Sequence, residues 1–537
     1  MARFVKSFTF AILGATALTT PAFARDTEVT PYIEVGQVLT ADIKGGNGDV
    51  VTYSTVAAGI DASVTGRQGE FQVSYRYERR FDYQKAVNSD DVHTGIARGR
   101  IDVVPNMLSL EVGGIATRAR SDSRGSSSVQ DVGNISNQTQ VYSGYAGPSF
   151  ATNLGPVDVA AAYRFSYTKA STVSAVTLPS GQDRLDNFDD SKAHYATASV
   201  GMQSGYLPFG WTVSGGYERE SAGQLDQRYE GKNVRGDINV PLTQDFSVVG
   251  GVGYEKIKIT QKAPLLDVTG APVVDADGRY VTDPASPRLL AYDLDGLYWD
   301  AGVVWQPSAR TQLEARVGHR YGSMSYTGSF TWQTAENSGV QVVAYDEVET
   351  FGQQVGDNLS RMPVNFRATR TNGLTNNYGG CVFGGSYGGT CLNDSFQSVN
   401  TSAYRSRGVA IVYSSQHGRV TSGLGIGYNQ RKFLSPTGAL GQVTIDGVKE
   451  QNWYAQANLD YALTQQSSIS GDFFTGLSKS GLVGTGDVWS TGATLSYFHN
   501  FGRSLSTSLS AGLYSQKVEN LESTVNVSAN AGVRYSF

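Results

Sequence analysis

Charged side chains at every second position of otherwise apolar segments are the groups in this chain best placed to do chemistry. In 71–78, Phe71, Val73, Tyr75 and Tyr77 alternate with Gln72, Ser74, Arg76 and Glu78. Successive side chains of a strand point to opposite faces, so Arg76 and Glu78 share a wet face behind an oily one. By the same alternation Arg98, Arg100, Asp102, Glu111, Asp158, Arg164, Glu218, Arg235, Asp237, Glu314, Arg316, Arg320 and Asp460 lie on the wet faces of their segments. Rings or ladders of charge set the ion and solute selectivity of a pore. Opposite charges on neighbouring strands also pair with one another and fill a narrow interior. Arg98, Arg100 and Asp102 against Arg76 and Glu78 fit both accounts, and both stay open.

Little else reads as catalytic. The five histidines, His93, His194, His319, His417 and His499, show no repeated spacing to a serine and an acid. His319 shares the oily face with Leu313, Ala315 and Val317. Outer-membrane phospholipases use a rim histidine with a serine, but an interfacial histidine beside a girdle aromatic such as Tyr321 is the preferred reading. Asp275-Ala-Asp-Gly278 matches part of a calcium loop, yet Val273 and Pro284 stand where further ligands belong, and the full pattern fails. The expectation is a chain that is not an enzyme and needs no cofactor or resident metal.

Cys381 and Cys391 lie in a Gly-rich segment with no histidine nearby. In an exported chain such a pair reads as a disulfide closing a small loop, with free thiols as the alternative. Export is expected from the first residues. Arg3 and Lys6 precede a short apolar run, 8–18, and Ala22-Phe23-Ala24 offers a cleavage site, giving a signal peptide over 1–24 and a mature chain from Arg25.

The elements that position the charges are strands. The alternation of 71–78 recurs in 157–168, in 453–463 and in 523–537, where Val525, Val527, Ala529, Ala531, Val533, Tyr535 and Phe537 share a face. Each run is about 9–12 residues, the length of a tilted strand crossing a bilayer. Short turn-forming clusters at 66–69, 105–106, 154–156, 243–245, 307–310, 464–466 and 500–502 take turns with long polar stretches at 121–138, 171–190, 261–295, 351–400 and 435–448. This predicts an all-β, single-domain, antiparallel up-and-down barrel over 25–537. It would have about 22 strands, short periplasmic turns and long extracellular loops, the loop 351–400 carrying the disulfide. No stretch reaches the roughly 18 uninterrupted apolar residues of a spanning helix. A net charge of −5 argues against a nucleic-acid partner.

A last strand ending on Phe537 resembles the terminal assembly signal of bacterial outer-membrane barrels. More narrowly, Arg316-Val-Gly-His-Arg-Tyr321, Tyr326-Thr-Gly-Ser-Phe-Thr-Trp332 and Val342-Val-Ala-Tyr-Asp-Glu-Val348 resemble the central hairpins of putative β-barrel porin families. Some of those families occur with exopolysaccharide export systems. The resemblance implies an outer-membrane location and contact with lipid and lipopolysaccharide or another surface glycolipid. It also implies assembly by the barrel machinery through the last strand. The expected function is porin-like passage, passive or gated, of small hydrophilic solutes or a secreted polymer. The alternative is an envelope-interaction barrel with an occluded lumen. The loop 351–400 is expected either to fold into the mouth as a constriction or to cap it from outside. The first strand begins too soon after the cleavage site to leave room for an amino-terminal plug.

Overall fold

The computed structural model describes residues 24–45, 50–83, 91–125, 127–130, 138–171, 185–368, 370–437, 445–482 and 484–537. The expected signal peptide, except Ala24, lies outside them, as do parts of the expected loops 121–138, 171–190 and 435–448. Twenty-two antiparallel strands, from Ala24–Lys44 to Thr524–Ser536, form one sheet in which chain neighbours pair. The sheet closes on itself: Tyr32 pairs with Ser536, Val35 with Val533 and Ala41 with Val527. Closure leaves no edge of unpaired backbone groups, which lipid would penalise by several kcal/mol each. No described helix is long and apolar enough to cross a membrane, which leaves crossing by strands open.

The period of two sets the two faces. On the first strand Ile33, Val35, Leu39 and Ile43 are exposed, whereas Tyr32, Glu34, Val38 and Thr40 are buried in the interior. Around the ring the outward set includes Trp299, Trp332, Trp453, Leu495, Leu509 and Val533, all exposed. A continuous apolar exterior of this extent has no place on a water-soluble surface. On the last strand the outward residues are those the alternation assigned, with Val527, Val533, Tyr535 and Phe537 exposed and Ser528 and Asn530 buried.

Both ends of the chain and the short turns share one end of the ring; the long connections share the other. The long-loop end also holds a tight connection, Tyr321-Gly322, with φ of 56° and 73°. Tyr321 is therefore not a girdle residue beside His319. Its ring lines an interior cavity and lies 4.6 Å from the Arg320 guanidinium and 4.9 Å from that of Arg405. His319 does face outward, exposed and paired across the sheet with Trp299 and Met324.

The connection between strands Ser338–Glu349 and Ala403–His417 does not extend outward as an extracellular loop. It folds back inside the ring. Thr350 caps a helix, Phe351–Arg361, by a reciprocal box: its hydroxyl accepts from Gln353 N at 3.3 Å and its own N–H donates to Gln353 Oε1 at 3.0 Å. A small hairpin, Cys381–Phe383 with Gly389–Cys391, follows. A lumen this wide has room for it, since rings of 22 strands enclose more than their own side chains fill.

Candidate functional site

The lumen and its filling are the candidate site. Phe351, Val355 and Leu359 recur at helical spacing and are essentially fully buried, in a cluster with Ile115, Val141, Ala170 and Phe188. The Phe351 and Phe188 rings are 5.0 Å apart. The polar face of the helix meets two residues that alternation placed in the lumen. Arg164 pairs with Asp357 and donates to Ser360 Oγ at 2.5 Å, and Arg98 donates to the Ser360 carbonyl at 3.2 Å. Burial pushes the Asp357 carboxyl above the usual range, opposed by Arg164 beside it.

Beyond the helix the segment runs almost to the short-turn end, where Phe366 N donates to Gln72 Oε1 at 3.1 Å. Thr371 Oγ1 then accepts from Arg76 and Arg534, each at 3.3 Å. Asn372 is held by two wall strands: its carbonyl accepts from Asn530 at 2.9 Å, and its side chain donates to Asp472 at 3.4 Å. Asn376 accepts from Thr117 at 3.1 Å, and Cys381 N donates to Gln456 at 2.8 Å. Cys381 and Cys391 are disulfide-bonded, directly opposed across the hairpin. The pair lies against Gly425 on the wall, where any β-carbon would collide with Cys381 Sγ. The return path is fixed by Arg431, fully buried, which donates to the Ser395 and Ser398 carbonyls at 3.1 Å.

Most of the remaining candidate charges of the wall pair among themselves. Arg76 lies 3.0 Å from Glu34 and 2.5 Å from Glu78, and Arg534 lies 3.0 Å from Glu34, knitting the closing seam. Arg100 lies 3.4 Å from Asp102 and 3.6 Å from Glu111, all partly exposed, and Asp158 accepts from Gln203 at 3.5 Å. Arg320 pairs with Glu255. Arg235 lies 2.7 Å from Asp237 and 2.6 Å from Asp300, while Arg316 lies 2.8 Å from Asp237, 3.0 Å from Asp300 and 2.6 Å from Glu314. This lattice lies flat on the wall. The intervening strand offers Gly251 beneath the Arg235 guanidinium and Gly253 beneath the Tyr298 ring, and a β-carbon at either would collide. Glu34 and Asp300 stand on wet faces by alternation and were legible as lumen residues; their partners, on strands far apart in sequence, were not.

The filling touches the wall unevenly. Among the described residues, no hydrogen bond joins 351–402 to the strands between Arg228 and Ala335. Cavities remain beside it. One of about 180 Å³, in the long-loop third, is bounded by Tyr195, Glu218, Glu255, Arg320, Glu349 and Asp357. Another of about 480 Å³, at the short-turn end, is bounded by Asp158, Ser199, Asp237, Glu314 and Arg316. A third of about 450 Å³ opens at the same end beside Arg370 and Arg534.

No protein-family description matches the chain, and no curated protein matches it in sequence. Solved structures similar to it include the FrpB iron transporter of Neisseria meningitidis, 11% identical over 94% of this chain and 81% of that one, with a TM-score of 0.41. The copper transporter OprC is 12% identical over 96% and 82%, with a TM-score of 0.41. OccK2 (OpdF) of Pseudomonas aeruginosa, solved with glucuronate, is 9% identical over 96% and 99%, with a TM-score of 0.31. The closed antiparallel ring with its apolar exterior decides the location on its own. This is an outer-membrane protein.

Proposed function

We propose that the chain is an outer-membrane channel for small hydrophilic, charged solutes, oriented with its short turns in the periplasm. The segment 351–402 narrows the lumen, and the path follows the wall between Arg228 and Ala335. The observation that carries this reading is that, among the described residues, no hydrogen bond joins the filling to that part of the wall, with cavities left at both of its ends. The Arg235–Asp237–Asp300–Arg316 lattice lies against the wall over Gly251 rather than across the lumen, and so presents charge to a passing solute. A lumen filled to this degree favours small solutes over a polymer.

A second reading has its own support. The apolar packing of Phe351, Val355 and Leu359 would suit a permanently sealed envelope barrel. Liposome swelling with sugars of graded size and reversal potentials in planar bilayers separate the two. The channel reading expects ions and the smallest sugars to pass, with Arg316→Glu shifting selectivity toward cations. No size-dependent permeation, together with no single-channel current, would establish the sealed barrel.

A further inference from the structure

We infer that the long-loop cavity holds a divalent metal cation, of calcium type, bound by Glu347, Glu349 and Asp357. One oxygen of each of these carboxylates lies within 4.8 Å of those of the other two. Hard divalent cations take oxygen ligands at about 2.3–2.6 Å in flexible geometry, which oxygens at this spacing can supply. Glu347 and Glu349 belong to the end of strand Ser338–Glu349, and Asp357 belongs to the helix Phe351–Arg361. The ion would therefore tie the wall to the filling.

Two independent observations point to a ligand there. Tyr195, 8% exposed, and Gln353, 2% exposed, line the same cavity, and among the described residues neither the Tyr195 hydroxyl nor Gln353 Nε2 has a hydrogen-bond partner. A buried phenol oxygen can face a cation directly or through a bound water, and the amide N–H₂ can donate to a ligand carboxylate or its water. The charge balance agrees. Among the acids bounding the cavity, Glu255 is paired with Arg320, Glu347 with Arg361 and Asp357 with Arg164. Glu218 and Glu349 have no ion-pair partner among the described residues, so the carboxylates around the cavity outnumber the guanidinium groups paired with them, an excess a divalent cation would offset. Arg361 is the group an ion would compete with at Glu347, and its side chain is 47% exposed. The inference stands whether or not the barrel conducts, because it concerns only what the cavity binds.

The test uses the full-length, detergent-purified protein after chelation. Terbium(III) is the probe, read by luminescence sensitised through Tyr195, with calcium as competitor and calorimetry as a second measurement. We expect one calcium per chain, with Glu349→Gln and Asp357→Asn each weakening it at least 10-fold. Tyr195→Phe should lower the sensitised emission while calcium is still bound. Asp275→Asn, whose native carboxylate is occupied by its own loop through Asp277 N at 2.9 Å and Arg279 N at 2.8 Å, should change nothing. Folding of each variant is checked by heat-modifiable migration, and Glu347→Gln serves if one of the others does not fold. Absence of calcium binding to the wild type, or binding equal in the folded variants, overturns the site.

Discussion

Two parts of the same wall use their inward residues in opposite ways. Between Leu108 and Met202 the inward residues are spent on the filling: Val141 packs in the helix's apolar cluster, Arg164 pairs with Asp357, Thr117 donates to Asn376, and Ser166 lies beside Gly356. Between Arg228 and Ala335, Arg235, Asp237, Asp300, Glu314 and Arg316 pair with one another rather than with the filling, flat against the wall. The same alternation produces both faces, so periodicity alone does not tell holding from lining. What separates them is the partner: the apolar stripe of the helix and the Asp357–Arg164 pair both fix it to the first wall, and among the described residues no hydrogen bond from the filling reaches the second.

The largest way to break this contrast is to remove the apolar anchor. Phe351→Ala should cost about 3–5 kcal/mol of the helix's hold on the wall. Hydrogen exchange over 351–361 should rise steeply, and bilayer current should grow in amplitude and noise.

Acidity gives the next largest effect. Burial pushes the Asp394 carboxyl in the filling up to about 6, against the lowering influence of the Tyr345 hydroxyl and Arg431. Burial likewise pushes Asp186, in a long-loop connection, up to about 6, with the Tyr280 N–H and Gln224 opposing it. In both cases the folded value lies above the unfolded one near 3.9. The folded state thus binds the proton more tightly between about 4 and about 6, so stability falls as pH rises through that window. The filling should be more protected from exchange at pH 5 than at pH 7.5, and Asp394→Asn should flatten the difference.

Asn372→Ala should cost about 1–2 kcal/mol, because the Leu374 and Thr375 N–H groups, now at 2.8 and 2.9 Å from its oxygen, lose their acceptor. Exchange should quicken locally around 371–376 while the helix stays protected.

The smallest expected effect is none. A β-carbon on Gly356 would lie 3.4 Å from Ser166 Cβ, near disulfide spacing. Gly356→Cys with Ser166→Cys should therefore staple the helix to the first wall and leave current unchanged when oxidised, if the helix is a fixed partition.

The ring was legible because lipid on one side and a polar lumen on the other force a period of two on every strand, as in 71–78 and 523–537. The filling was not legible. Its 350–402 path is rich in Asn, Gly and Ser, which looks like an exposed loop, yet those groups are buried against wall amides such as Gln456 and Asn530. Capping by Thr350 and Gln353 and the Phe351, Val355, Leu359 spacing were the signals that a helix starts there. Of the charged candidates, alternation placed Arg76, Arg98, Arg164, Arg235 and Arg316 in the interior, but not which of them hold the filling, because Asp357 and Ser360 lie far along the chain.

The path itself is tested most directly by introduced thiols and a bulky, membrane-impermeant thiol reagent during single-channel recording. Ser214, paired with Arg235 across the sheet, faces the proposed path, whereas Ser143, 6% exposed, lies behind the filling. Current through Ser214→Cys should fall when the reagent is added, and current through Ser143→Cys should not. Block at Ser143→Cys with Ser214→Cys untouched would place the path on the other wall and contradict the account.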